Sequence, residues 1–222
     1  YVSLSRNKDE FIIESPARCN ELLEALTDFS GNSLTGLVPV LGEMPIAEAL
    51  CALGAADITR RELMQALAAD SAWQPAGISS ASINRLLQRK DLNSGWLTWF
   101  LQSLLHQPYE VDQNSVDKAM KSLEKKGWLK PHKDGFVPHA DLMQLATRLL
   151  MINILYKIDG LRLTDTGKPV RQTFGIVQNG TRDILFIEAT GNDVFLGGLT
   201  GRALFLLLEK YLTQAEAVSL PE

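Results

Sequence analysis

The chain has 222 residues, of which 45% are hydrophobic and 22% charged, and its net charge at pH 7 is −4. This composition excludes a mainly disordered chain, and the length allows one or two domains with a buried core. The acidic balance argues against general affinity for nucleic acid, so such a function would need a local basic patch.

The two cysteines, Cys19 and Cys51, lie in separate apolar segments. A lone thiol in such a segment usually acts as a small core residue, so no disulfide framework is expected. This pattern favours a reducing compartment and a cytoplasmic location. The apolar runs are too short to span a bilayer, and no signal-peptide pattern is visible.

The N-terminal half is predicted to contain a hairpin followed by several helices. Residues 2–6 and 10–14 are short strand-like runs around a polar turn. An apolar helix is expected over Ile46–Leu53. Thr59 and Glu62 have the spacing of a capping box, which predicts that a separate helix begins there.

Besides a helix over 115–126, three further helices are expected before the composition changes. Ser79 and Ser94 are suitable N-cap residues for two of them, and the second has a broad apolar face. The third is a long amphipathic helix over Leu142–Tyr156.

Beyond Gly160, three strands joined by tight turns are predicted over 170–178, 183–189 and 193–197. A final helix follows from Thr200 to about residue 213. Because its first turns are apolar nearly all round, other elements must cover it, and a homodimer contact is the alternative to core packing.

The segment 112–138 has the clearest local chemistry. Asn114 is the expected N-cap of a helix over 115–126, and Gly127 is the expected stop in a Schellman motif. Trp128 would then pack on Leu123. Asp134-Gly135 predicts the turn of a short hairpin that follows the helix.

The faces of this helix differ in chemistry. Val116, Ala119, Met120 and Leu123 share an apolar side at about 100° per residue. Between residues 115 and 134 there are six lysines and three acids. The polar side and the hairpin provide the candidate nucleic-acid contacts, which are Asn114, Lys118, Lys121, Ser122, Lys125, Lys130 and Lys133.

Residues 115–129 resemble the third helix and first wing strand of the winged-helix superfamily. The resemblance extends over roughly 58–138 if the preceding helices belong to the same unit. It implies a helix that can enter a major groove with a wing near the phosphates, or a protein-interaction module of the same fold. The connection from Gln107 to Gln113 is longer than the turn of a compact helix-turn-helix.

Two interpretations of the lysine side remain. It is the solvated face of a helix, or it holds phosphate groups. The absence of arginine argues against specific reading of guanine, so any nucleic-acid binding is expected to be weak and tolerant of sequence.

A second candidate site is an anion-binding turn that leads into the last helix. It comprises Gly198, Thr200, Gly201 and Arg202. Exposed amides at a helix N-terminus can bind an anion. The simpler interpretation is a tight turn with Thr200 as the N-cap.

No catalytic residues, metal ligands or cofactor are predicted. The three histidines have no cysteine or histidine at metal-ligand spacing, and no hydrolase or redox motif occurs. An enzyme whose site is assembled from distant residues remains the less favoured alternative.

These elements predict a helix-rich α/β chain of mixed α+β type, with a winged-helix-like centre flanked by small sheet and helix elements. The expected parts are residues 1–56, 57–157 and 158–222. In one interpretation the two ends pack together in a single layer; in the other their similarity only reflects how common β-α units are. The favoured function is non-enzymatic binding of protein partners, with a nucleic-acid-binding regulator as the alternative and homo-oligomerisation as a further expectation.

Overall fold

A computed structural model describes residues 4–7, 10–13, 38–105, 109–163, 169–179, 183–204 and 206–207. The strands are β1 (Leu4–Asn7), β2 (Glu10–Ile13), β3 (Gly42–Pro45), β4 (Leu129–His132), β5 (Gly135–Pro138), β6 (Ile152–Leu163), β7 (Pro169–Asn179), β8 (Ile184–Thr190) and β9 (Asp193–Leu199). The helices are α1 (Ile46–Ala68), α2 (Ser80–Leu87), α3 (Leu97–Leu104), α4 (Gln113–Lys125) and α5 (Ala140–Arg148). Residues 201–204 and 206–207 are also helical. The fold is mixed α+β, with most helices preceding an antiparallel sheet.

The sheet contains five strands in the order β3-β9-β8-β7-β6. Alternate residues of β8 enter different cores: Leu185 and Ile187 pack with the helices, whereas Ile184 and Phe186 pack on the opposite face with Leu204. The unbroken apolar run in this strand predicts cover on both faces, and that prediction is confirmed.

Helix α1 is the centre of the helical part, and it corrects the prediction of two helices. It continues without a break through the expected capping box, and Thr59 is buried in its interior. Every residue from Ala49 to Asp57 is buried, so contacts on all sides stabilise the continuous helix and override the local start signal. The expected boundary between residues 56 and 57 lies inside α1, and that between 157 and 158 lies inside β6.

The predicted long helix over Leu142–Tyr156 is also wrong in its second half. Helix α5 ends at Arg148, and β6 begins at Ile152. A short apolar run does not distinguish helix from strand, and here pairing with β7 along almost the whole of β6 decides the matter.

The two ends of the described chain contain the remaining strands. β1 and β2 pair with Leu4 opposite Ile13, as the predicted hairpin requires. β3, which no sequence pattern predicted, pairs with β9, with Gly42 opposite Leu196. A strand that precedes the helices therefore belongs to the same sheet as the strands that follow them.

The end of α4 confirms the predicted Schellman stop. Gly127 has φ +76°, a conformation that favours glycine. Its amide donates to the carbonyl of Glu124 (2.9 Å), and the amide of Trp128 donates to that of Leu123 (3.0 Å). The expected hairpin follows as β4 and β5.

The helix starts are less accurately predicted. Ser79 caps α2 as expected, with its hydroxyl accepting from the Ser82 amide at 3.1 Å. Asp112, not Asn114, caps α4 by accepting from the Ser115 amide at 2.7 Å. The expected cap Ser94 precedes Trp96, the N-cap residue of α3, which forms no side-chain cap bond.

Candidate functional site

Helices α1, α2 and α4 form one packed unit with the β4–β5 hairpin. The buried side of α4 contacts both α1 and α2, whereas α3 packs against α1 and β7. Ile78, just before α2, forms a two-way backbone bridge with Phe136 of β5. Helix α3 therefore packs on the sheet, and the helix that precedes α4 within the packed unit is α2.

The lysine side of α4 is solvent-exposed. Lys118, Lys121 and Lys125 are exposed on the helix, and Lys130 is exposed on the hairpin. Within the part of the chain that the structure describes, these four form no ion pair. Lys133 lies 3.8 Å from the Asp134 carboxylate, and both side chains are largely exposed. Asn114 is also exposed, and Ser122 is half-buried.

Neighbouring groups dilute this positive surface. The Asp112 carboxylate lies at the start of α4, where its hydrogen bonds to Ser115 and the nearby Lys118 lower its pKa. Lys126 is not part of the surface, because its ammonium pairs with Glu48 of α1 at 2.5 Å and lies 5.3 Å from the Trp128 ring centroid.

The two arginines at and just after the end of α2 have different partners. Arg89 forms two hydrogen bonds to the Asp91 carboxylate, at 2.9 and 2.6 Å. Arg85 donates to the carbonyl of Ala81 in its own helix at 3.4 Å. The Asp91 carboxylate thus offsets the charge of Arg89, whereas the hydrogen bond of Arg85 to a neutral carbonyl leaves the charge of Arg85 in place.

An apolar groove lies where the last two turns of α1 project beyond the core. Its volume is about 180 Å³, and its lining consists of Leu63, Ala66, Leu67, Ser71, Trp73, Thr147 and Leu150. Two large apolar side chains of these turns are exposed: Leu67 at 68% and Met64 at 43%. Exposed apolar residues that adjoin a groove are typical of interaction sites.

Two hydrogen bonds join α1 to the chain that follows it beside the groove. The Ser71 amide donates to the Ala66 carbonyl at 2.9 Å, which turns the chain back along α1. The Trp73 indole then donates to Glu62 at 3.3 Å. Sequence reasoning missed this site, although Leu63, Ala66 and Leu67 have helical i, i+3, i+4 spacing, because that spacing is equally typical of a core-facing helix.

Two groups of the candidate anion-binding turn already form hydrogen bonds within the protein. The Gly198 amide donates to the carbonyl of Pro39 at 3.1 Å, and the Thr200 hydroxyl accepts from the Ala203 amide at 3.1 Å. Gly201 is buried, whereas Arg202 is exposed. Thr200 thus acts as an N-cap, and the Gly198 amide already has a partner within the protein.

A buried polar centre joins α1 to α3. The Asp57 carboxylate, 1% exposed, accepts from the amides of Leu97 (3.0 Å) and Thr98 (2.9 Å) and from the Thr98 hydroxyl (2.9 Å). It also pairs with Arg60 at 2.7 Å. Burial raises the pKa of the Asp57 carboxyl, and Arg60 with the three other donors opposes that rise.

The Asp57 carboxylate thus caps the N-terminus of α3, whose own N-cap residue forms no side-chain cap bond. Arg60 continues the connection by donating to the carbonyl of Leu150 at 3.3 Å. No sequence signal identified this role, because the capped helix begins 40 residues away. The centre is fully enclosed, so its chemistry serves the fold.

The described residues were compared with the requirements of a metal-binding cluster and of a membrane-spanning helix. They contain no group of three or more His, Cys, Asp or Glu side chains that could hold a metal ion. His132 is the last residue of β4, His139 follows β5, and His106 lies outside the described residues. Among the helices so described, none is both long and apolar enough to cross a membrane.

No protein-family model, curated protein or solved structure matches the chain.

Proposed function

We propose that this chain is a non-enzymatic interaction protein whose helical unit is of winged-helix type and binds a protein partner. The order of α1, the Ile78 bridge, α2, α4 and the β4–β5 hairpin supports the fold part of this proposal. The proposed partner surface is the apolar groove at the end of α1.

The exposure of Leu67 at the mouth of the groove is the observation that carries this proposal. Transfer of apolar surface from water stabilises a complex by about 25 cal/mol per Å² before the costs of association are counted. Leu63, Trp73 and Leu150 extend the same apolar surface, which suits one or two apolar side chains of a partner.

A photocrosslinking amino acid in place of Leu67 should join the partner covalently when the protein is illuminated in cells that produce it. The matched control is the same replacement at Gln65, which is exposed on the same helix but does not line the groove. We expect one adduct of defined mass from position 67, because only this position lies against the bound partner. Adducts of equal yield from both positions, or none from position 67, would contradict the proposal.

The lysine side of α4 favours a second function, which is weak binding of a nucleic-acid backbone. Lys118, Lys121 and Lys125 recur at helical spacing on one exposed side, and Lys130 extends the charge into the hairpin. Lysine binds phosphate without reading bases, so this function predicts strong dependence on salt and little dependence on sequence. The Asp112 carboxylate and the pairing of Arg89 reduce the positive surface, so we place this function second.

Reversing two charges tests the nucleic-acid function. Lys118→Glu/Lys121→Glu should weaken binding to a duplex of arbitrary sequence by about 10-fold or more and lower the salt slope by about 2, because two phosphate contacts are lost. Fluorescence anisotropy at several salt concentrations measures both quantities. The control Lys90→Glu/Arg202→Glu makes the same charge change at exposed positions outside α4 and the hairpin. Equal weakening by both variants would indicate a net-charge effect and exclude the proposed surface.

A further inference from the structure

Strand β6 forms one long edge of the five-stranded sheet. It has 12 residues and, among the described strands, pairs with β7 alone, whereas β3 at the opposite edge has 4 residues and ends at Pro45. Among the residues that the structure describes, no strand lies beyond β6. A long edge strand presents backbone donors and acceptors to which another strand can add.

Apolar side chains on both faces of the sheet continue up to this edge. Tyr156 and Ile158 pack beside the cluster of Phe174 and Ile176 on one face, and Leu155 packs beside the helical core on the other. All three β6 side chains are only half-buried. An additional strand would cover them, since neighbouring strands lie about 4.8 Å apart.

The sequence of β6 is complementary to itself in charge. If two copies pair antiparallel about a two-fold axis at Ile158, Lys157 of each copy lies opposite Asp159 of the other. Centring the pairing on Lys157 or Asp159 instead would place like charges opposite each other, which is unfavourable. Ile158 is close to the middle of β6, so the favourable register also pairs residues 153 to 163.

We propose that two copies of this chain associate through their β6 strands in that register and form one continuous ten-stranded sheet. Lys157 and Asp159 lie on the same sheet face and are already held near the edge. The Lys157 ammonium donates to the Ser103 carbonyl (2.7 Å) and lies 3.7 Å from Asp159, which accepts from the Thr173 hydroxyl (2.5 Å). Such an interface is isologous, as is usual for homodimers.

Charge substitutions test the register. Analytical ultracentrifugation over about 1–300 µM measures the dimer dissociation constant, a range that spans weak strand pairing. Lys157→Glu and Asp159→Lys should each raise that constant by about 10-fold or more, because each places two like-charged pairs at the interface. The swapped double variant Lys157→Asp/Asp159→Lys should restore it to within about 3-fold, because opposite charges again face each other.

Rescue by the swap separates the interface from a purely structural role, since a fold that needed the original contacts would not recover. Circular dichroism and thermal unfolding of each variant confirm that the comparison is between folded proteins. A parent protein that stays monomeric at all these concentrations would overturn the proposal. A dimer unaffected by the single substitutions would assign the contact to another surface.

A disulfide test gives a second measurement that does not depend on the charges. In a Cys19→Ser background, Ile158→Cys places each introduced thiol opposite its copy at the two-fold axis, where a Cα separation of about 5 Å suits a disulfide. Buried Cys51 stays protonated, because burial raises its pKa to about 12.

Oxidised glutathione should therefore convert the Ile158→Cys protein to a covalent dimer. The matched control Asn153→Cys lies on the same strand and is exposed, but in this register the two thiols are roughly 33 Å apart. Equal crosslinking of both variants, or none of the first, would overturn the register.

Discussion

Gly198→Ala should destabilise the protein by about 2–4 kcal/mol, because the added methyl group has no space and a neighbouring backbone hydrogen bond is strained. A Cβ at this position would overlap the carbonyl of Val38 and would lie 2.9 Å from the Val38 Cβ. The amide of Gly198 itself donates to the carbonyl of Pro39. The segment that leads into β3 would have to move away from β9. Urea unfolding monitored by circular dichroism measures the loss.

Gly191→Ala is the matched control for this prediction. Gly191 has φ +61° and no atom within 4 Å of an added Cβ, so its substitution tests backbone conformation without crowding. We expect a loss of about 1–2 kcal/mol there. If Gly198→Ala cost no more than this control, the close approach of the Val38 segment to β9 would be wrong.

Asp57→Ala should reduce the free energy of unfolding by about 3–5 kcal/mol, because it leaves the buried Arg60 guanidinium without its counter-charge. The amides of Leu97 and Thr98 at the start of α3 lose their acceptor in the same step. Because α3 packs against both α1 and β7, we expect the loss to appear in the sheet as well as in the helices. Urea unfolding with hydrogen exchange at α3 and β7 measures both effects.

A double-mutant cycle tests the cause of this loss. Removing Arg60 as well, in Asp57→Ala/Arg60→Met, should recover about 1–3 kcal/mol relative to the sum of the single losses, because no unpaired charge remains buried. The control Asp91→Ala breaks the pair between Asp91 and Arg89, which should leave stability almost unchanged because both side chains are exposed to solvent. Strict additivity of the two buried substitutions would show that the ion pair is not the cause.

The lysine side and the hairpin could be predicted from sequence, whereas the apolar groove could not. The lysines recur at helical spacing beside an apolar stripe, and that pattern indicates which side faces solvent. The groove arises because α1 extends beyond the elements that cover it, so Leu67 is exposed although Leu53 in the same helix is buried. Sequence shows that both residues are apolar but not which of them has neighbours.

The sequence by itself determined the elements whose causes lie within a few residues. Gly127 stops α4 because its positive φ and two short-range hydrogen bonds satisfy the last carbonyls, and the β8–β9 hairpin follows from its tight turn. The tertiary structure decided the features whose causes lie far apart in the chain. Helix α1 continues past the capping-box pattern at Thr59 because its middle is buried on all sides. Strand β6 forms because it pairs with β7. Asp57 caps a helix that begins 40 residues later in the chain, because buried amides need an acceptor and the packing places this carboxylate beside them.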